Sequence, residues 1–372
     1  MKIGIDARMQ ETGIGRYTNG LIGELGRIDN INQYVILLPA SHFDSYQLPG
    51  KNFSKILADI PHYSAAEQQK LLVILKKEGF DLVHFPHFNV PVRYRDPFVV
   101  TIHDLTHTKF KNVRATTLGP IKYFIKNLGY QKVIRHAVNE SRAIISPSEY
   151  VKKQVVKEYS VPAKKIIVTH EAFQPHLTRT IDRMVLADLG ISRPFLLYVG
   201  NAYPHKNLEN FILAFGKLTS GYNHDLQLVI AGKKDAFHDR IAKEVLAVGL
   251  QHRVIFTDYI DDHQLAALYS QAKLFVFPSL SEGFGLPPME ALSVGTPAII
   301  SNTTSLPEIY GDSAAYFDPY SISDMSSKMH AFLSDWKAQQ KTLIEARKRL
   351  KKYSWAQLAA KTLEVYKKAT KG

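Results

Sequence analysis

Short apolar segments, rich in β-branched and aromatic residues, alternate with helix-length segments along the whole chain. In the first half the predicted strands read KIGID, YVILL, DLVHF, FVVTI, AIIS and IIVT. In the second half they read FLLYVG, LQLVIAG, VIF, LFVFPS, AIIS and AAYF. Strands separated by helical segments are typical of βαβ units, in which the strands pair in parallel. The pattern therefore predicts an α/β protein with one parallel sheet in each half.

Two such sheets predict two domains, which agrees with a length of 372 residues. The predicted linker is the segment HEAFQP at residues 170–175, between the two sets of strands. We expect an N-terminal Rossmann-like domain over residues 1–173 and a C-terminal one over residues 174–353. The last helical segment, about residues 354–372, is expected to cross back to the N-terminal domain. Ligands of parallel sheets bind at the carboxyl ends of the strands, so we expect a site in the cleft between the domains.

The composition excludes several classes of protein. Hydrophobic residues make up 45% and charged residues 22% of the chain, as in ordinary globular proteins. No run approaches the roughly 18 apolar residues of a membrane-spanning helix, and the opening MKIGIDARM fits a first strand better than a signal peptide. The chain has no cysteine and hence neither a disulfide framework nor a thiolate metal site. These features predict an intracellular protein.

Positive charge is concentrated in one part of the N-terminal half. The net charge is +13, and the segment from Leu105 to Asn139 contains no acidic residue. Its basic residues are Lys109, Lys111, Arg114, Lys122, Lys126, Lys132 and Arg135. Apolar residues recur among them at helical spacing, at Ile121, Phe124, Ile125 and Leu128. A solvated helix face is the default interpretation, and a patch resting on anionic lipid ranks above a nucleic-acid surface because no nucleic-acid motif is present.

The most informative local pattern is LFVFPSLSEGFGLPPMEALSVGTPAII at residues 274–300. A predicted strand leads into a glycine-containing loop, and two prolines then favour a helix start, where backbone N–H groups have no intrahelical partner. Gly295 is expected to end that helix. N–H groups of such a loop can bind phosphate or sugar hydroxyls. Taken singly, Glu282 is better explained as a solvated loop residue and Glu290 as a favourable first-turn acid.

The complete string SEGFGLPPMEALSVGTPAI, however, closely resembles the nucleotide-binding signature of the family 4 retaining glycosyltransferases, in which two glutamates flank G-F-G. The resemblance implies the GT-B fold, with two Rossmann-like domains facing a central cleft. It also implies a nucleotide-sugar donor, retention of anomeric configuration, and no cofactor or metal ion. Glu282 is then a ligand of the transferred sugar and Glu290 a ligand of the donor ribose.

Two further segments agree with this resemblance. ETGIGRY follows the first strand, and in the family its glycines, Gly13 and Gly15, face the donor phosphate; an ordinary tight turn is the alternative. FVVTI ends at His103, which by resemblance contacts the transferred sugar. Asp104 either orients the imidazole of His103 or occupies a turn.

Lys206 follows the strand FLLYVG and by resemblance reaches the diphosphate, where it neutralises the charge on the leaving nucleotide. The next residue, Asn207, could cap the following helix. Many members of the family have an arginine directly after the glycine of this strand, where this chain has Asn201. His205 and Arg16 are candidates to replace that charge.

The predicted catalytic residues are His103, Lys206 and Glu282. The predicted donor-binding residues are Gly13, Gly15, Lys206, Tyr259, Ile260, Glu282, Gly283, Phe284, Gly285, Leu286 and Glu290. Tyr259 and Ile260 follow the strand VIF, where the family lines the base pocket; packing of the strand end into the core is the alternative.

GDP-mannose is the first choice of donor, because the motifs most resemble mannosyltransferases of bacterial lipopolysaccharide and surface-polysaccharide assembly. UDP-glucose, UDP-galactose and UDP-GlcNAc are the alternative donors. The expected acceptor is a lipid-linked or other glycan, used by a cytoplasmic protein that rests on an anionic membrane surface, the cytoplasmic face of the inner membrane. No nucleic-acid partner is expected.

Three other activities fit less well. A nicotinamide-dependent dehydrogenase would share the α/β pattern, but no G-x-G-x-x-G follows a strand in the required position. A basic nucleic-acid-binding protein would carry a recognition motif, and none is found. A glycosidase would flank the bond with two working carboxylates, whereas the two glutamates here fit sugar and ribose ligands.

Overall fold

The structure, a computed structural model, describes residues 1–109, 120–173 and 177–370. Its elements form two compact units. The first unit holds residues 1–105, the described part of 116–172, and residues 353–370. The second unit holds the described parts of 106–115 and 173–352.

The first unit is built on a parallel sheet of seven strands. These strands are β1 (Lys2–Asp6), β2 (Gln33–Leu38), β3 (Phe53–Leu57), β4 (Leu82–Phe85), β5 (Phe98–Thr101), β6 (Ala143–Ser146) and β7 (Ile166–Val168). Their order across the sheet is β3-β2-β1-β4-β5-β6-β7. The six strands predicted for this half are present, and β3 was missed. In β3, FSKIL, only Phe53 is fully buried, because the strand lies at the sheet edge and reads as weakly hydrophobic.

The second unit contains a parallel sheet of six strands, all of which the sequence predicted. They are β8 (Phe195–Val199), β9 (Gln227–Ala231), β10 (Val254–Phe256), β11 (Leu274–Phe277), β12 (Ala298–Ser301) and β13 (Ala315–Phe317). Their order is β10-β9-β8-β11-β12-β13. The parallel pairing in both units confirms the predicted α/β architecture with two Rossmann-like sheets.

Parallel neighbours need crossover connections, and helices form most of them; residues 86–97, between β4 and β5, contain no helix. In chain order they are α1 (Gly13–Ile28), α2 (Ala40–Phe43), α3 (Leu72–Glu78), α4 (Thr106–Lys109), α5 (Pro120–Glu140), α6 (Glu149–Tyr159), α7 (Arg183–Asp188), α8 (Leu208–Gly221), α9 (Ala236–Ala247), α10 (Asp262–Gln271), α11 (Pro287–Ser293), α12 (Leu306–Tyr310), α13 (Ile322–Ser334), α14 (Trp336–Leu350) and α15 (Trp355–Ala369). A π-helical turn, Glu67–Leu71, leads into α3. Within the described ranges, no helix combines the length and apolar character needed to cross a bilayer.

Both faces of the first sheet are covered by helices. One face packs against α1 and the last helix, α15, which confirms that the chain returns to its first unit. An added Cβ at Gly20 of α1 would lie 2.5 Å from the ring of Trp355, so this helix contact requires glycine. The other face packs against α3, α5 and α6.

In each sheet the strand order reverses once, between β1 and β4 and between β8 and β11. At such a switch point the loops leave the carboxyl ends of two neighbouring strands in opposite directions, and a crevice opens between them. In the second unit the loops concerned are residues 200–207, after β8, and residues 278–286, after β11. These are the loops that contain Lys206 and Glu282.

Candidate functional site

The two loops at the switch point of the second sheet are bonded directly to each other. The backbone N–H of Leu280 donates to the carbonyl of His205 at 2.7 Å. Asn207 donates through its amide to the carbonyls of Pro278 at 3.2 Å and Pro319 at 2.8 Å. The predicted capping role of Asn207 is therefore wrong. It precedes α8 but its side chain makes no cap hydrogen bond there, because the amide is turned towards those two carbonyls.

Lys206 and Glu282 form an ion pair across these loops. The ammonium Nζ of Lys206 lies 2.6 Å from Oε1 of Glu282, and the two side chains are only 14% and 13% exposed. The same ammonium lies 5.5 Å from the centre of the Phe277 ring. Partial burial strengthens the attraction between opposite charges. Two predicted catalytic residues are thus in direct contact.

The loop that carries Glu282 is fixed from several sides. The backbone N–H of Glu282 donates to Oγ1 of Thr304 at 3.2 Å, and Ser305 donates to the Glu282 carbonyl at 3.0 Å. Gly285 has φ +84°, and a Cβ there would lie 2.8 Å from Cδ2 of Leu306. The hydroxyl of Tyr310 donates to the carbonyl of Gly285. The glycine is therefore required by both backbone conformation and packing.

The rest of the glutamate-flanked segment lies deeper. α11 starts at Pro287, as predicted, and Gly295 follows it with φ +92°. Glu290 is 6% exposed, and its Oε2 accepts a hydrogen bond from the hydroxyl of Tyr269 at 2.9 Å. Phe284 is 2% exposed, so its ring belongs to the core and only its backbone can face a ligand. Of the neighbouring predicted residues, Gly283 is buried and Leu286 half-buried.

The predicted base-pocket residues follow β10. Tyr259 is 83% exposed, which rules out the alternative that it packs into the core, and Ile260 is half-buried. The Asp258 carboxylate accepts hydrogen bonds from the backbone N–H groups of Lys234 and Tyr259 at 3.2 and 2.8 Å. These bonds lower the pKa of Asp258 and order the loop that presents the tyrosine.

Asn201, which stands where many members of the family have an arginine, helps to fix the conformation of its own loop through its backbone. The carbonyl of Asn201 accepts a hydrogen bond from the Tyr198 hydroxyl at 2.7 Å. Burial, and then the negative charge of Glu282, raise the pKa of Tyr198, so this hydroxyl keeps its proton and the bond persists. His205 and Arg16 remain predicted substitutes for the arginine.

In the first unit, His103 follows β5 and has a partner at each ring nitrogen. Nδ1 lies 2.6 Å from Oε1 of Glu171, and Nε2 lies 2.9 Å from the carbonyl oxygen of Pro86. Tyr17 of α1 packs edge-on against the imidazole, with ring centres 4.8 Å apart. A carbonyl can only accept, so Nε2 carries a proton. A ring-nitrogen hydrogen bond to a sugar therefore requires His103 to leave one of these partners.

The charge state of His103 depends on Glu171. Desolvation lowers the pKa of His103, but the hydrogen bond and negative charge of Glu171 outweigh it, Asp104 adds to them, and the pKa is raised overall. The structure gives Glu171 the orienting role that was considered for Asp104. Glu171 was not predicted as a site residue because it lies in HEAFQP, assigned as linker. Its position just after β7 was the available signal.

A second histidine of the same unit has the opposite character. His84 of β4 is fully buried, between the Tyr366 hydroxyl at 2.7 Å and the Thr101 hydroxyl at 2.8 Å. Burial, and then the positive charge of His103, lower the pKa of His84 to about 3. His84 is therefore neutral and structural, and it links α15 to β5, the strand that His103 follows.

The two glycines of α1 that were predicted to bind the donor, Gly13 and Gly15, differ in what surrounds them. A Cβ at Gly15 would lie 2.1 Å from the carbonyl oxygen of Gln10, so the fold itself requires this glycine. A Cβ at Gly13 would meet no atom within 4 Å. Gly15 is thus explained by packing. Gly13, at the first position of α1, remains the candidate for close approach of a ligand to the backbone.

Known proteins match the chain along nearly its whole length. A family model described as Glycosyltransferase Family 4 matches residues 12–175, and one described as Glycosyl transferases group 1 matches residues 188–354. The chain is 26% identical to the O-antigen chain mannosyltransferase B of Escherichia coli, over 96% of both chains.

Two solved structures show the fold. Sucrose-phosphate synthase from Thermosynechococcus elongatus has a TM-score of 0.78 at 18% identity, over 99% of this chain and 98% of that one. Anabaena HepE, solved in complex with UDP and glucose, has a TM-score of 0.73 at 15% identity, over 99% of both chains. The fold is therefore the two-domain GT-B fold that the sequence predicted.

The contact between His103 and Glu171 predicts a pKa change. In Glu171→Gln the carboxylate charge that favours the imidazolium is lost while the side-chain shape is kept, so the pKa of His103 should fall. Titration of histidine ring resonances by NMR measures this shift.

Glu158→Gln, a change on the exposed surface of α6, is the matched control and should leave the His103 titration unchanged. A His103 titration in Glu171→Gln at the same pH as in the parent would contradict this account of the site.

Proposed function

Since this chain belongs to the glycosyltransferases of family 4 and group 1, we propose that it transfers mannose from GDP-mannose to a glycan acceptor with retention of anomeric configuration. The observation that carries the proposal is the ion pair of Lys206 and Glu282 at the switch point of the second sheet, inside the segment with the family's glutamate pattern. The choice of mannose is supported by the full-length likeness to an O-antigen chain mannosyltransferase.

Lys206 handles the charge that develops on the leaving nucleotide. An ammonium has three N–H donors, and the contact with Glu282 accounts for one of them. The others can reach diphosphate oxygens without breaking the pair. Because the site is preorganised and partly desolvated, one such contact can stabilise a transition state strongly. With this charge supplied by the protein, we propose that transfer proceeds without a metal ion.

The carboxylates hold the donor at two places. Glu282 accepts hydrogen bonds from hydroxyls of the transferred sugar, next to the diphosphate that Lys206 contacts. Glu290 accepts from the ribose hydroxyls, with its orientation fixed by Tyr269. Tyr259, exposed at the end of β10, supplies a ring against which the base can stack.

Release of nucleotide from the donor, without added acceptor, tests this function. We expect slow GDP release from GDP-mannose, faster than UDP release from UDP-glucose, UDP-galactose or UDP-GlcNAc, and insensitive to EDTA. Lys206→Ala should lower GDP release at saturating GDP-mannose by about a hundredfold, the usual order for one lost preorganised contact.

Lys243→Ala removes an exposed lysine of α9 and is the matched control, expected to match the parent. Lys206→Ala with turnover within a factor of a few of the parent would contradict the role of Lys206. Preferential turnover of a UDP-sugar would contradict GDP-mannose as the donor and would identify that UDP-sugar as the donor instead.

We further propose that the first unit rests on an anionic membrane surface, as a peripheral protein of the cytoplasmic face, when it uses a lipid-linked acceptor. Phe124 and Leu128 of α5 are 62% and 55% exposed, so they are not core residues. Lys132 and Arg135 follow on the same helix face and are exposed. Lys111 and Arg114 lie outside the described residues, as do the side chains of Lys109, Ile121, Lys122 and Ile125.

Vesicle sedimentation tests this location. Each basic residue near an anionic surface contributes about 1 kcal/mol, so we expect binding to phosphatidylglycerol vesicles at low salt. The binding should fade at a few hundred millimolar salt, as charges become screened. Neutral vesicles should bind little.

The double variant Phe124→Ser with Leu128→Ser should weaken vesicle binding, since apolar contact adds to the charge. Ile181→Ser with Met184→Ser removes two comparably exposed apolar residues of the second unit and is the control. Equal, negligible binding of the parent to both vesicle types would remove the membrane role.

A further inference from the structure

Tyr63, in the first unit, is held in an unusual backbone conformation. Its φ is +59°, in the left-handed region that residues with side chains rarely adopt. Its backbone N–H donates to Oε2 of Glu67 at 2.9 Å. Such strain persists only where surrounding contacts impose it, and it concentrates at ligand-binding sites.

Buried charges impose this conformation. Glu67 and Arg8 are 2% and 4% exposed, and their side chains meet at 2.8 Å. Arg8 also pairs with Asp6 at 2.8 Å and donates to the carbonyl of Ile60 at 3.0 Å. Burying charged groups is costly unless all are paired. The end of β1 is thus used to fix the segment that presents Tyr63.

The ring of Tyr63 is presented to solvent with other rings around it. The residue is 52% exposed. The His87 ring lies 5.9 Å from it at an interplanar angle of 88°, and the Phe88 ring lies 6.1 Å away. The ammonium of Lys126 is 5.9 Å from the ring centre. The Tyr63 ring is therefore held in place although half of it is exposed, and a cation lies beside it.

The ring also lies beside the loop of His103. His87 directly follows Pro86, whose carbonyl accepts from Nε2 of His103. Tyr63 and His103 are therefore close to each other within the first unit.

We propose that the face of the Tyr63 ring is the platform on which a pyranose ring of the acceptor glycan stacks, with the His87 ring standing perpendicular at its side. The face of an aromatic ring is electron-rich and attracts the polarised C–H groups on one face of a sugar. The fixed backbone of Tyr63 keeps the ring in place before the sugar arrives, which lowers the entropy cost of binding. This inference rests on the proposed function, since it assigns the acceptor subsite of that reaction.

Binding of methyl α-mannoside, methyl α-glucoside and methyl α-galactoside to the full chain, measured by saturation-transfer NMR without donor, tests the platform. We expect saturable binding of at least one glycoside. Tyr63→Ala and Tyr63→Gly should weaken it about tenfold, the order expected for one aromatic contact. Tyr63→Phe, which keeps the ring, should bind within about twofold of the parent.

Two comparisons separate binding from folding. Tyr63→Gly relieves the left-handed backbone, so its melting temperature should equal or exceed that of the parent while glycoside binding falls. Tyr320→Ala removes a tyrosine of the second unit that is 67% exposed and should change neither property.

The outcomes distinguish this proposal from the proposed function. The platform proposal would be overturned if Tyr63→Ala bound the glycosides as tightly as the parent does, or if the parent bound none of them. Either result would hold regardless of which nucleotide sugar is the donor. Ring-dependent glycoside binding in a protein that releases no GDP from GDP-mannose would support the platform and contradict the donor. Nucleotide release without acceptor should be the same in the Tyr63 variants and the parent.

Discussion

Parallel strand pairing determines where the candidate functional side chains of this protein lie. Each strand of the two sheets runs parallel to its neighbours, so each connection passes through a crossover and the strands of one sheet end at a common edge. The side chains that follow those ends are brought together although they are far apart in sequence. In the second unit these are Lys206 and Glu282. In the first they are His103, after β5, and Glu171, after β7.

Paired charges at these edges hold the loops in place. Lys206 with Glu282, His103 with Glu171 and Arg8 with Glu67 are contacts of 2.6 to 2.8 Å between largely shielded side chains. Each pair satisfies a charge that would be costly to bury alone. The first two pairs lie at strand ends, and under the proposed function Lys206 there meets the charge that develops on the leaving nucleotide.

Repeated patterns were predictable and single contacts were not. Apolar runs predicted twelve of the thirteen strands in the described part of the chain, and β3 was missed because an edge strand buries little. The glutamate-flanked segment could be found because its glycine, prolines and acids are all local. The capping role of Asn207 was wrong, since its amide bonds to Pro319, 112 residues away. Glu171 was missed for the same reason: it meets His103 across 68 residues.

The central claim, that the segment from Ser281 to Ala291 binds the nucleotide-sugar donor, is tested most directly by calorimetric titration of GDP into variants of the two glutamates. Glu290→Ala should weaken GDP binding, whereas Glu282→Ala should bind GDP like the parent and lose transfer from GDP-mannose. Tyr269→Phe keeps the Glu290 carboxylate, so its GDP affinity should be closer to that of the parent than the GDP affinity of Glu290→Ala. Parent-like GDP affinity and turnover in both glutamate variants would contradict the account.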